Sequence, residues 1–426
     1  MTASESPAGP ALPVLRTARC RTALALTLCL ISFTAFWVAQ RTAGVSMIDL
    51  MVYRAEGRTV RTGGELYAMR ATEAGLPNTY PPFAALLFTP LTLLGVPGMR
   101  ALATAGNLAL LVALVHLSLR LAGCPARPRS PGPTALCAAA AVWCEPVWTT
   151  LRYGQVNLLL AVLVLWDMTR RDGHRWAGVG IGVAAGIKLT PAFFAVALAV
   201  AGAVGRRRRH RADPHGVPGR PPEPLLRKAA GAAAAFFATV AVAWLILPRD
   251  SARYWTATFY AAERAGRAED TANQSLRGLT ARLLHHPDPA SWWALALLVA
   301  LCGLGVAVAA LLARRPARAV LCCAVTALLV SPVSWTHHWV WCVPLVLLIG
   351  SEAAGRGTPV RWAAAATALP FFCYVPWWVP HGGTQRLELH QNWWQLACSA
   401  VYPAVGVAYL AAAWFSLRLW RTSRNA

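Results

Sequence analysis

The feature that most constrains this chain is a succession of apolar stretches separated by short gaps rich in arginine. A helix needs roughly 17–25 apolar residues to cross a bilayer. Residues 22–39, 101–123, 132–150, 229–247, 291–313, 319–334, 337–351, 361–379 and 394–417 read as spans. Residues 80–97, 155–169, 175–187 and 190–204 are shorter or interrupted candidates. Only 13% of the 426 residues are charged and 57% are hydrophobic, whereas soluble domains carry roughly 25% charged residues. The pattern predicts an all-α polytopic membrane protein, a single integral membrane domain over 1–426. It excludes a disordered chain, a disulfide scaffold and an array of soluble domains.

The formal charge of +23 would suggest nucleic acid in a soluble protein. Here the basic residues fill gaps between spans, which is how membrane orientation is set, and no nucleic-acid-binding motif accompanies them. No nucleic-acid partner is expected; the partner of the chain as a whole is the lipid bilayer. The eleven cysteines form no CxxC pair and read as small apolar packing residues. No metal site and no cofactor are expected.

Arg16, Arg19 and Arg21 precede the first span and assign the N-terminus to the cytoplasm. The inner segments that follow hold Arg120, Arg170, Arg206 to Lys228, Arg314, Arg356 and the tail from Arg418. Residues 205–228 read as a basic, Pro-rich cytoplasmic loop. Residues 40–79 become the first outer loop, with 46–74 as an amphipathic surface helix or pair of helices, and 249–290 another outer loop. An odd number of crossings must separate residue 79 from residue 125, so 80–97 or 101–123 is expected to re-enter. About twelve crossings then leave both termini in the cytoplasm.

Charged and amide residues near spans are the candidates for function. Asp49 is the first outer carboxylate, and reads equally as a helix cap, a loop carboxylate or a functional group. Lys188 is one of only two lysines. It stands between two apolar segments, beside the helix-breaking Pro191, as an anion-site candidate or an interfacial snorkel. Arg152, Gln155 and Asn157 share a tight outer turn. Asn273, Gln274 and Arg277 lie in the loop 249–290. His337 and His338 point about 100° apart on a helix, so one is expected to face a cavity while the other packs. Glu145, within the span 132–150, has no evident role.

These residues fall into blocks that occur in order: Asp49-Leu50 with Val52-Tyr53, Gly64 with Leu66-Tyr67, Tyr80-Pro81-Pro82 leading to Pro90-Leu91, Gly154-Gln155-Val156-Asn157, Lys188-Leu189-Thr190-Pro191, Asn273-Gln274-Ser275, and Ser331-Pro332 through His338. In that order the chain resembles glycosyltransferase family 87, GT-C-type integral membrane enzymes similar to polyprenol-phosphate-mannose-dependent α-1,2-mannosyltransferases of actinobacteria. The resemblance covers about 50 to 340. It implies a GT-C architecture, a polyprenyl-phosphate-sugar donor and a glycolipid or glycan acceptor of the cell envelope. It further implies inverting transfer of a hexosyl, here mannosyl, unit at the outer face of the cell membrane. Asp49 matches the catalytic base. Lys188, with Arg152 or Arg277, would hold the donor phosphate. Tyr53, Tyr80, Gln155, Asn157, Asn273, Gln274, His337 and His338 would contact substrate. The alternative is a transporter or flippase for an anionic lipid or sugar. That reading wants polar groups at midplane, whereas these blocks share one face.

Overall fold

The structure, a computed structural model, describes residues 12–123, 131–171, 173–212 and 224–425. Residues 213–223 of the loop expected at 205–228 lie outside them, and its flanks are helical. Among the described residues there is no strand, and the apolar runs form helices. The first part of the chain holds α1 (Leu12–Thr42), α2 (Ile48–Thr62), α3 (Pro82–Phe88), α4 (Val96–Leu121), α5 (Gly132–Ala141), α6 (Glu145–Tyr153) and α7 (Asn157–Met168). Then come α8 (Val179–Ile187), α9 (Ala192–Ala212), α10 (Pro224–Ile246), α11 (Pro248–Thr256), α12 (Leu276–Leu283) and α13 (Trp292–Leu312). The chain ends with α14 (Pro316–Val330), α15 (Cys342–Ala353), α16 (Thr358–Phe372), α17 (Trp393–Ser399) and α18 (Val401–Asn425).

Among the described residues, four helices are long and apolar enough to cross a membrane: α1 from Ala18, α4, α10 and α13. The count is six if the bent pairs α6–α7 and α17–α18 are each one span. The run 132–150 is broken rather than continuous. Its helix ends at Ala141, and α6 restarts at Glu145-Pro146, where proline fits the first turn because its missing N–H is not needed there. The segment 80–97 holds only α3 and the 3-10 turn Thr89–Leu93. Twelve residues at about 1.5 Å each reach about 18 Å, short of the roughly 30 Å hydrocarbon core. Within 40–79 there is one helix, α2, rather than a pair. It stops at Gly63 with φ 69°, and the stretch beyond is irregular apart from a bridge between Ala71 and Leu76.

Close helix approach replaces the hydrophobic effect as the packing force inside a bilayer. The sequence of α8, Val-Gly-Ile-Gly-Val-Ala-Ala-Gly-Ile, supplies it. A Cβ at Gly182 would strike the Ala232 carbonyl, and one at Gly186 would strike Thr239, both on α10. This contact holds α8 in place, and Lys188 caps its C-terminal end.

The polar groups segregate to opposite ends of the helices. At one end Lys228 Nζ donates to the Asp167 carbonyl at 3.1 Å, and Asp167 accepts the N–H groups of Gly178 and Ile181. Arg318 bonds Glu352 at 2.9 Å and also reaches Ser416. The other end gathers α2, the α6–α7 corner, the α8–α9 break, the loop 249–290 and the segment 331–338 around a cavity. Gly182→Val should over-pack the α8–α10 contact by about 1–3 kcal/mol. Thermal unfolding of the detergent-solubilised protein should show a lowered melting temperature.

Candidate active site

One face of α2 builds the first wall of this cavity. Asp49, Val52, Tyr53 and Glu56 line it, spaced i, i+3, i+4 and i+7, so they stand in one row. The wall is held by the corner between α6 and α7, which bend by 117°. Gly154 makes the corner. Its φ is +70°, and a Cβ there would lie 2.7 Å from Leu50 Cβ. Only glycine satisfies both conditions, and its absence of side chain lets α2 sit against the corner.

Gln155 follows and organises the polar centre. Its Nε2 donates to Asp49 Oδ2 at 2.7 Å. Its Oε1 accepts from Tyr53 OH at 2.7 Å and Tyr80 OH at 3.1 Å, with the two phenols 2.9 Å apart. The amide is thereby oriented, and Asp49 Oδ1 is left free toward the cavity. Burial raises the Asp49 carboxyl to about 6, against the opposing pull of the Gln155 hydrogen bond and the Lys188 charge.

Lys188 enters from the break between α8 and α9, on extended backbone. Its Nζ lies 2.8 Å from His338 Nε2 and 5.5 Å from the Tyr80 ring centre. Burial lowers the ammonium to about 7, with Asp49 pulling the other way. His338 Nδ1 accepts the Trp335 N–H at 3.2 Å. A neutral ring in that tautomer carries its hydrogen on Nε2. It therefore points a hydrogen at the Lys188 nitrogen, in keeping with the lowered proton affinity of that amine.

Both histidines line the cavity, which corrects the expectation that one would pack. Thr336–Trp341 is a 3-10 turn with non-helical dihedrals at Trp339 rather than an α-helix. It presents both rings, 86° apart in plane, to the same space. His337 Nε2 is buried without a partner, while its carbonyl accepts from Thr150 and Asn157.

Several predicted contacts lie elsewhere. Asn157 is outside this cavity because its amide is used in fixing the His337 backbone at 3.0 Å. Asn273 and Gln274 are likewise buried scaffold. Asn273 Oδ1 accepts the Ser334 N–H at 2.9 Å, and Gln274 N–H donates to the Ser334 carbonyl at 2.7 Å. Gln274 Nε2 is held by the carbonyls of Thr271 and Ser399. Arg277 is turned to Asp288 at 2.9 Å and does not line the cavity. Arg152 is exposed and also outside the lining.

The cation that the loop 249–290 does place in the lining is Arg264. It donates to the carbonyls of Tyr67 and Asn78 at 3.0 and 3.2 Å, with Nε unpartnered. Glu56 was also missed. It is 0% exposed, and both its carboxylate oxygens lack a partner. Burial first, then the Asp49 charge, raises it well above the usual range and keeps it protonated. Its seven-residue offset from Asp49 was the available signal. Trp335, Trp377 and His381 complete the walls. Glu145 accepts from Trp377 at 3.0 Å and Tyr402 at 2.9 Å, so it fixes a wall.

The cavity measures about 510 Å³, within the range of about 300–1,000 Å³ for small-ligand sites. It offers a carboxylate opposite an ammonium, a protonated carboxyl, and aromatic walls. Fold and cavity together define a polytopic membrane protein with an enzyme-like polar site at the ends of its helices. The sequence model of glycosyltransferase family 87 matches residues 78–332. The chain belongs to that family and is a membrane glycosyltransferase. It is 35% identical over 386 residues to a polyprenol-phosphate-mannose-dependent alpha-(1-2)-phosphatidylinositol pentamannoside mannosyltransferase of Mycolicibacterium smegmatis, covering 86% of this chain and 85% of that one. A protein of the same description from Mycobacterium tuberculosis is 32% identical, over 88% of this chain and 82% of its own. A polyprenol-phosphate-mannose-dependent alpha-(1-2)-phosphatidylinositol mannoside mannosyltransferase from M. tuberculosis is 33% identical, over 85% and 84% respectively. No solved structure gives a significant match.

If Asn273 is scaffold, Asn273→Ala should strand the buried Ser334 N–H and cost about 1–3 kcal/mol. Its melting temperature should fall, and the surviving folded fraction should keep a near-normal KM for the donor.

Proposed function

We propose that this chain transfers a mannosyl unit from a polyprenyl-phosphate-mannose donor to a hydroxyl of a glycolipid, with inversion, at the outer face of the cell membrane. The observation that carries this reading is the convergence of Asp49 and Lys188, 139 positions apart in sequence, on one cavity. The relatives' printed activities supply the donor and point to phosphatidylinositol mannosides as the acceptor class. The outer assignment rests on the arginine asymmetry and on the clustering of the segments around Asp49 at one helix end. About twelve crossings, many built from short or broken helices and with α3 re-entering, put both termini in the cytoplasm.

The geometry supports the following chemistry. The acceptor O–H donates to Asp49 Oδ1, and its oxygen attacks the anomeric carbon as the proton passes to the carboxylate. The bond from that carbon to the phosphate oxygen breaks, leaving polyprenyl phosphate. Attack opposite the leaving group inverts the centre, so a β-linked donor gives an α product. Lys188 receives the developing phosphate charge, with Arg264 as second cation. Phosphate leaves without protonation, so one carboxylate suffices, unlike glycoside hydrolysis. Glu56 stands two helical turns from Asp49, about 10.5 Å along the axis. Held protonated, it donates to one sugar hydroxyl and accepts from another. Trp335 and Trp377 flank the sugar.

Label transfer from radiolabelled polyprenyl-phosphate-mannose to phosphatidylinositol mannosides tests the reading. Asp49→Asn should lower kcat about 10²–10⁴-fold in folded protein, and near-normal turnover would remove the base assignment. Lys188→Met should raise the donor KM and lower kcat, whereas Arg277→Gln should keep transfer within about threefold of wild type, since it lies outside the cavity.

The pH profile has a definite sign. Asp49 works deprotonated, so kcat/KM should rise with pH through about 6. Lys188 works protonated, so it should fall as pH passes about 7. The alkaline limb should vanish in Lys188→Arg, whose guanidinium holds its proton.

A further inference from the structure

A second cavity, of about 190 Å³, lies where the end of α1 meets the start of α4. Trp37, Gln40 and Arg41 line it from α1, and Arg100 and Thr104 from α4. Met47, two residues before Asp49, closes it, so it sits at the same end of the helices as the catalytic cavity. No motif and no step of the transfer reaction uses these residues.

Their chemistry is unfinished in an unusual way. Gln40 is only 6% exposed, yet neither its amide nitrogen nor its amide oxygen has a hydrogen-bond partner. Arg100 Nε is buried and also unpartnered. Arg41 contacts the Trp37 face, 5.7 Å from the ring centre. Thr104 donates its hydroxyl to the Arg100 carbonyl at 2.9 Å, which leaves its oxygen as an acceptor. No carboxylate lines the cavity. Buried polar groups are normally paired, and an orphaned one calls for an explanation such as an unseen partner. Two guanidiniums and an amide N–H ask for an anion with several oxygens. The Gln40 Oε1 and Thr104 Oγ1 ask for a hydroxyl donor on the same ligand.

Location narrows the class. Both α1 and α4 are long and apolar enough to cross a membrane. Arg41 and Arg100 stand within one or two turns of their ends, where tryptophan rings and lipid headgroups meet. Arginine forks match phosphate geometry. We infer that this cavity binds the phosphodiester and hydroxylated headgroup of an anionic phospholipid, with Arg41 and Arg100 on the phosphate and the Gln40 amide on a headgroup hydroxyl. The lipid is either a bilayer component or the phospholipid part of the glycolipid acceptor. The second source rests on the proposed function; binding itself does not.

Native mass spectrometry of the full chain in detergent, with added phosphatidylglycerol, phosphatidylinositol or phosphatidylcholine, reads the site directly. Wild type should retain the first two in preference to the third, whose choline group has no hydroxyl. R41Q and R100Q should each lower retention of the anionic lipids about fivefold and shrink their preference over phosphatidylcholine, whose cationic choline offsets its phosphate charge. Gln40→Leu should narrow the preference. Arg100 makes no hydrogen bond through its side chain, so R100Q should fold; Arg41 is exposed, and R41Q gives the same readout if it does not. Equal retention of all three lipids by wild type, or unchanged retention in both variants, would overturn the site.

Kinetics then separate the sources. If R41Q/R100Q raises KM for a phosphatidylinositol mannoside but not for a phosphate-free alkyl mannoside, the acceptor occupies the site. If retention falls while both KM values hold, a bilayer lipid does. Wild type that retains anionic lipid but transfers no mannose would refute the function and leave the lipid site standing.

Discussion

The hydrogen bond from Gln155 to Asp49 is the interaction on which the rest of the site depends. It ties a helix that lies outside the spans to the sharpest corner among the spans. The corner itself exists because Gly154 takes a positive φ and has no side chain to strike Leu50. From Gln155 the same amide reaches Tyr53 and Tyr80, so α2 and the start of α3 are fixed by one side chain. An amide suits this task because it donates to a carboxylate with one end and accepts from phenols with the other. A carboxylate there would repel Asp49, and an alkyl group would leave the two buried phenols with no partner but each other.

The break at Lys188 obeys a related constraint. Irregular backbone is tolerated at membrane depth only where protein covers it or where it lines a cavity. The broken helices here, α6–α7, α8–α9 and the 3-10 turn before α15, all end on the cavity. Breaking them brings residues from several spans to one place without long loops. The carbonyl of His337 is bonded by Thr150 and Asn157, and the 331–338 segment is pinned to the loop 249–290 through Asn273 and Gln274. Lys188, His337 and His338 stand at interruptions, Asp49 stands on the continuous α2 packed against one of them, and the conspicuous amides hold the interruptions in shape.

That division explains what the sequence made legible. The all-helical membrane class follows from hydropathy, because nothing but a helix satisfies the backbone in lipid when the runs lack alternation. The candidate status of Asp49 and Lys188 follows from the cost of their charges near spans. The roles of Asn157, Asn273 and Gln274 did not follow. A polar side chain in a turn has the same signature whether it binds a sugar or a neighbouring carbonyl. Arg277 and Arg264 differ only in that Asp288 lies near one of them in space. Glu56 was hidden by its setting among arginines in a segment that reads as surface. Its burial comes from the packing of α2 on α3 and the 3-10 turn after it, where neighbouring Gly57 lies too close to the Phe88 carbonyl for any side chain. Continuous span lengths were overestimated at 132–150 for a comparable reason, since a proline at a helix's first turn leaves hydropathy unchanged.

On the proposed reading, two of the perturbed groups outside the spans, Asp49 and Lys188, make the site responsive to its own substrate. At rest Asp49 and Lys188 are both buried, and burial moves each toward neutrality from opposite directions. A donor phosphate brings negative charge beside Lys188 and favours its protonated form, with His338 close by to share the exchange. The new ammonium in turn favours the ionised form of Asp49. Under the proposed chemistry, donor binding thus favours the charged pair that the transfer uses, carboxylate on the acceptor side and cation on the phosphate side. Because burial raises the proton affinity of the carboxylate, Asp49 is a stronger base than an exposed aspartate once it is ionised. The same burial that perturbs both groups in the empty site is therefore what gives the proposed base its strength.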